Sequence, residues 1–169
     1  MQARLSISRL AIATTLFARV GLAHAQVEED ALKAAFVYNF ALYTTWPTPL
    51  RAADALTICV QRKSPLASAL HALVGKPVQQ RTIVVKEIDS AARSGCDVEV
   101  TASPKALRGP APGVLTICDC GDDQEPASGA AVSLVREGAR LRFDVDLAAA
   151  NASGLSLSSK LLHLARRTR

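Results

Sequence analysis

The sequence predicts an α/β fold: a single three-layer domain with a mainly parallel sheet, a C-terminal antiparallel hairpin and flanking helices. Three observations predict it. Short β-branched runs alternate with helical or turn segments between residues 55 and 118, which is the grammar of strand–crossover–strand units. After Gly129 that grammar changes, and residues 131–136 and 140–145 read as two strands separated by a tight turn at Glu137-Gly138. A helix-period segment stands at each end of this stretch.

Residues 28–46 read as one helix. Leu32, Ala35, Phe36, Phe40 and Tyr43 recur near helical spacing, Glu28, Glu29 and Asp30 suit its positive N-terminal end, and Pro47 and Pro49 stop it. Residues 55–60 (ALTICV) form a buried strand. Ser64 as N-cap and Pro65 at the first helical position open a helix that runs to residue 74 and ends at Gly75. A strand at 81–85, a short helix at 90–93, a strand at 97–101, a helical turn at 103–107 and a strand at 114–118 follow. Residues 158–167 close the order as a helix with Leu161, Leu162 and Leu164 on its inner side. No internal repeat or long linker interrupts it.

Residues 1–25 read as a secretory signal peptide. Arg4 and Arg9 precede an apolar stretch at 10–18, no acid appears before Glu28, and Ala23-His24-Ala25 supplies small residues at the cleavage positions. Arg19 is the residue that fits least well. The apolar stretch is far shorter than the roughly 20 residues of a membrane-spanning helix. Cleavage there leaves 144 of the 169 residues as one domain, residues 26–169. It also removes three basic residues, so the net charge of +5 falls to +2 and nucleic acid is not an expected partner. The remaining basic tail, Arg166, Arg167 and Arg169, reads as a solvated helix end placed favourably against the helix dipole.

Export puts the four cysteines in an oxidising compartment. They allow three pairings, which spacing alone does not resolve. A Cys118–Cys120 bond makes a very small loop, whereas a Cys59–Cys96 bond closes a long one and stabilises by a few kcal/mol through the unfolded state. Cys118-Asp119-Cys120 has no C-x-x-C spacing and no nearby histidine, so neither a redox nor a zinc site is expected, and the acids after Cys118 read as a solvated turn. His71 and His163 read as half-buried helix residues, and Ser158 with Lys160 as a cap and an exposed lysine. No phosphate-binding loop, dinucleotide fingerprint or H-E-x-x-H is present. No catalytic residue, metal or cofactor is expected. Five of the seven aromatic residues fall between positions 36 and 46. Tyr38 and Trp46 lie off the face shared by Phe36, Phe40 and Tyr43, which marks them as partner contacts.

The run from Leu32 to Phe40 ending in Trp46-Pro47, Gly95-Cys96 before a strand, the stretch from Leu141 to Leu147, and Gly154-Leu155 followed by Ser158-Ser159-Lys160-Leu161-Leu162 together resemble the YfiR family of bacterial periplasmic proteins. The likeness spans residues 28–167. It implies a small disulfide-stabilised α/β domain in the periplasm that acts as a regulator. In the family, such a regulator restrains a membrane-bound diguanylate cyclase, an outer-membrane lipoprotein relieves the restraint, and cyclic-di-GMP and biofilm formation follow. Cys59 and Cys96 fall where the family has a bridge, and the family's second bridge is poorly matched. After Phe40 the chain departs from the family pattern with Leu42, Tyr43, Thr44 and Thr45, which bears on partner identity. The expected partner is the periplasmic domain of an inner-membrane signalling protein, with a homodimer also compatible. The contact candidates are Tyr38, Trp46, Phe143, Leu147 and Leu155. The rival readings are a periplasmic ligand-binding or adaptor component with a pocket at the carboxyl ends of the strands, and a thiol oxidoreductase at Cys118/Cys120.

Overall fold

A long helix, α1 (Leu10–Leu42), leads into two sheets. The computed structural model describes residues 10–47, 54–89, 95–122 and 129–169. The larger sheet is built from β2 (Ala55–Gln61), β3 (Pro77–Val78), β4 (Arg81–Ile88), β5 (Val98–Thr101), β6 (Leu115–Asp122), β7 (Val132–Glu137), β8 (Arg140–Val145) and β10 (Arg167–Thr168). Its order is β10-β8-β7-β6-β5-β2-β4-β3, with antiparallel pairing only at β7–β8 and β3–β4. The smaller sheet pairs β1 (Thr44–Thr45) with β9 (Ser156–Leu157). Helices α2 (Ala67–His71), α3 (Leu147–Ala152) and α4 (Ser159–Leu164) complete the order, with a 3₁₀ turn at Pro104–Ala106.

The register assigns the two faces of the sheet. Ile58 pairs Val98, Val98 pairs Leu115, Ile117 pairs Val132, Val132 pairs Val145 and Leu134 pairs Phe143. These side chains share one face and form the main core with Val37, Phe40 and Ala41 of α1, Leu70 of α2 and Leu161 of α4. The opposite face carries Cys59 and Cys96 packed with Ile88, and Cys118 packed with Ala130, Leu107 and Cys120. Burial on both faces explains why β2 reads as a continuous apolar run rather than an alternating one.

The α/β fold, its mainly parallel sheet and the C-terminal hairpin stand as the sequence predicts. Gly138, at φ +58°, supplies the turn between β7 and β8. Element boundaries differ in instructive ways. The first helix covers Leu10–Leu42 rather than 28–46, because the leucine- and alanine-rich segment before Glu28 propagates helix. At its other end, Thr44 and Thr45 leave the helix to pair with Leu157 and Ser156. Tertiary pairing of two β-branched residues therefore ends α1 before Pro47 acts. The last helix stops at Leu164, and Arg167–Thr168 runs parallel to β8 instead of continuing it. The expected helix at 90–93 lies outside the described residues.

Helix α3 has no counterpart among the elements the sequence predicts, although its signal is present. Asp146 accepts a hydrogen bond from Ala149 N at 2.9 Å as N-cap, an alanine-rich run follows, and Gly154 turns the chain at φ +73°. Among the described residues no helix is long and apolar enough to cross a membrane.

Candidate partner-binding surface

The aromatic end of α1 forms a corner with the β3–β4 hairpin. Tyr38 is half-buried and its hydroxyl donates to Pro77 O at 2.9 Å, while Lys76 Nζ lies 5.8 Å from the ring centroid. Trp46 is also half-buried, and the Arg81 guanidinium lies over its ring at 4.8 Å. Arg81 is held in turn by Asp97 Oδ1 at 3.1 Å, and Asp97 Oδ2 accepts from Thr57 N at 2.8 Å. Gln79 Nε2 donates to Thr44 O at 2.8 Å and closes the corner. A cation over each ring adds about 0.5–1 kcal/mol at such partly exposed positions. The corner is thus a preset surface with one face of each aromatic ring engaged by its own chain.

The other contact candidates divide. Phe143 is 3 % exposed and packs edge-on against Phe36 and Phe40, with centroids 5.8 and 4.9 Å away. Leu155 is 2 % exposed in the same core. Both are corrected from contact to core residues, because strand β8 and the turn after α3 point them at α1 and its neighbours. Leu147 is half-buried against that core. The structure brings Tyr38 and Trp46 to one corner but does not gather all five residues on one surface.

The cysteines form two bridges, Cys59–Cys96 and Cys118–Cys120, and none is free among the described residues. The first ties the middle of β2 to the residue entering β5, with Cα atoms 5.6 Å apart. No group of histidine, cysteine and acid residues suited to a metal occurs among the described residues. His71 and His163 are exposed rather than half-buried, and His71 Nε2 lies 3.3 Å from Glu87 Oε1.

Two ion-pair systems join residues that lie far apart in the sequence. Asp119, expected in a solvated turn, receives Lys33 Nζ at 2.9 Å; Lys33 also meets Glu29 at 3.1 Å, and Glu29 pairs with Arg136. The hydrogen bond from Arg136, opposed by partial burial and aided by Lys33, holds the Glu29 carboxyl below its ordinary value. Burial works against charge on Lys33, but the carboxylates of Asp119 and Glu29 outweigh it and raise its pKa. The second system takes Arg166 out of the expected solvated basic tail, while Arg167 and Arg169 stay exposed. Arg166 grips Asp144 through Nε at 2.9 Å and a terminal nitrogen at 2.7 Å, and Arg169 reaches Asp146 at 3.0 Å. Apart from the Glu29–Lys33 pair, whose i,i+4 spacing on α1 is visible in the sequence, only spatial proximity signals these contacts.

The YfiR/HmsC-like family profile matches residues 30–166. The chain belongs to the YfiR/HmsC-like family. No curated protein matches it significantly. The matched span of this YfiR/HmsC-like chain takes in every strand of the larger sheet except β10, and both halves of the Tyr38–Trp46 corner.

Proposed function

We propose that this protein is a non-catalytic periplasmic regulator that binds and restrains the periplasmic region of an inner-membrane signalling protein, a diguanylate cyclase. The observation that carries the reading is the family match across nearly the whole domain. A leader-like N-terminus and paired cysteines fit an oxidising compartment. Restraint works by population shift: the regulator favours the inactive state of the cyclase only to the extent that it binds that state more tightly. The Tyr38–Trp46 corner is the proposed contact. Removal by an outer-membrane lipoprotein would compete for the regulator and release the cyclase. The test is deletion of the gene and complementation, with cellular cyclic-di-GMP as readout and site-specific crosslinking from Tyr38 and Trp46 to the cyclase. Unchanged cyclic-di-GMP together with no crosslink would sink the proposal.

A second reading is favoured by one specific observation. Counted from β2, the parallel strands β4-β2-β5-β6-β7 follow the order 2-1-3-4-5, and such sheets bind ligands where the order reverses. That point lies between β2 and β5, beyond Gln61 and Thr101. Thermal shifts with amino acids, nucleotides or peptidoglycan fragments would support a ligand-binding module, and their absence would remove it.

A further inference from the structure

We infer that the edge of the domain formed by α4, β10 and β8 docks on the surface of an anionic bilayer, with Leu164 entering the head-group region between flanking cations. The inference concerns only this chain and lipid, and stands apart from the regulator reading.

The apolar element comes from α4. Leu164, expected on the inner side of that helix, is 65 % exposed. Lys160 lies one helical turn before it on the same face, and Arg167 follows just past the helix end; both are exposed. Strand β8 extends the basic surface. Arg140 and Arg142 alternate onto the face of the sheet turned away from α1, which is also the face of Asp144. Arg167 stands in register with Asp144 there.

Charge at this edge is unevenly balanced. Asp144 is taken by Arg166, Asp146 by Arg169, and Arg140 stands across the hairpin from Glu137. Among the described residues no acid pairs with Lys160, Arg142 or Arg167. Arg142 is half-buried, and its Nε is buried without a hydrogen-bond acceptor. A guanidinium set into the surface without a carboxylate is a ready partner for a phosphate group.

The exposed leucine selects the occupant. A soluble polyanion would engage the cations and leave Leu164 in water, whereas the head-group region of an anionic bilayer takes up both. Helix α1 shows the contrast. Its Val27 and Leu32 are 68 % and 48 % exposed, but they stand beside Glu28, Glu29 and Asp30, which an anionic surface repels. Charge therefore fixes which apolar side chain meets lipid.

The experiment is cosedimentation of the exported protein with phosphatidylcholine vesicles, plain or carrying about 30 % phosphatidylglycerol, at about 50 and about 500 mM salt. The expected result is binding that requires phosphatidylglycerol and is lost at high salt. Lys160→Gln, Arg142→Gln and Arg167→Gln each weaken it about fivefold, and Leu164→Ala weakens it about tenfold. Leu32→Ala leaves it unchanged. None of these side chains belongs to the fully buried core, and circular dichroism checks that each variant folds. A folded wild type that does not bind overturns the inference, as does binding that persists at high salt or on plain phosphatidylcholine. Binding that Leu164→Ala leaves unchanged also overturns it, because the cations then act without an apolar anchor. A loss with Leu32→Ala equal to that with Leu164→Ala overturns it as well, by moving the lipid contact to α1.

Discussion

Replacing Cys59 and Cys96 together by alanine releases a loop whose ends are 37 residues apart in sequence. That loop contains α2, β3 and β4, so the unfolded chain regains the freedom of a large part of the sheet. The chain-entropy expression for a loop of that size gives about 3.8 kcal/mol at 25 °C. The two sulfurs also pack with Ile88 beneath the sheet, both cysteines being buried. Their loss adds about 0.5–1 kcal/mol of vacated space. With an unfolding entropy of about 2 cal/mol/K per residue, a domain of this size loses about 10–15 °C in Tm. Scanning calorimetry on the double variant, run beside wild type with and without reductant, measures the shift. Reduced wild type should approach the variant's Tm. A double variant melting within about 3 °C of oxidised wild type would refute the entropic argument.

Three further outcomes follow from the core and its ion pairs. Phe143→Ala should cost about 3–5 kcal/mol in urea denaturation, because it opens a cavity against Phe36 and Phe40; a cost below about 1 kcal/mol would return Phe143 to the surface. Asp144→Asn leaves the Arg166 guanidinium without its carboxylate partner in a site where the aspartate side chain has no exposure, so it should cost about 3–5 kcal/mol with little salt dependence. Glu29 has a folded pKa below its ordinary 4.5, so its stabilisation is present above that value and is lost as pH falls through the lowered one. Glu29→Gln should therefore flatten the acid limb of a stability–pH profile below pH 4.5, and an unchanged limb would contradict the pairing.

What the sequence revealed and what it hid follow one physical division. Periodicity and turn chemistry are local, so the strands at β2, β5 and β6, the Gly138 hairpin and the Ser158 cap, whose Oγ accepts from Leu161 N at 3.4 Å, were legible. Short pairings are not local. β1 exists because β9 lies beside it, and β10 because Arg167 meets Asp144 in register on β8. The same limit governed the candidate surface. Phe143 and Leu155 sit in motifs that resemblance marks out, but a motif is retained for packing as readily as for binding, and burial decides between the two. Tyr38 is legible because it departs from the apolar stripe of α1, and Trp46 because it stands beside Pro47, although it lies past β1 rather than on the helix. Lys76, Arg81 and Asp97, which fix them in place, come from elements that only the fold brings near.

That fixing separates the two roles an aromatic corner can have. If Tyr38 serves only to join α1 to the β3–β4 hairpin, its function lies in the hydroxyl bond to Pro77 O and in the covered part of its ring. Tyr38→Phe then loses about 0.5–1.5 kcal/mol of stability and leaves regulation unchanged. If the exposed part of the ring is also a contact, the charge and shape of its surroundings matter without much bearing on stability. Lys76→Glu is the discriminating change. Lys76 is exposed, so its reversal should alter stability by less than about 1 kcal/mol, while placing a negative charge beside Tyr38 at the proposed interface. In the deletion strain, a Lys76→Glu protein present at wild-type level and with wild-type Tm should fail to restore low cyclic-di-GMP. Full restoration would assign the corner to architecture alone and move the contact to another face of the domain.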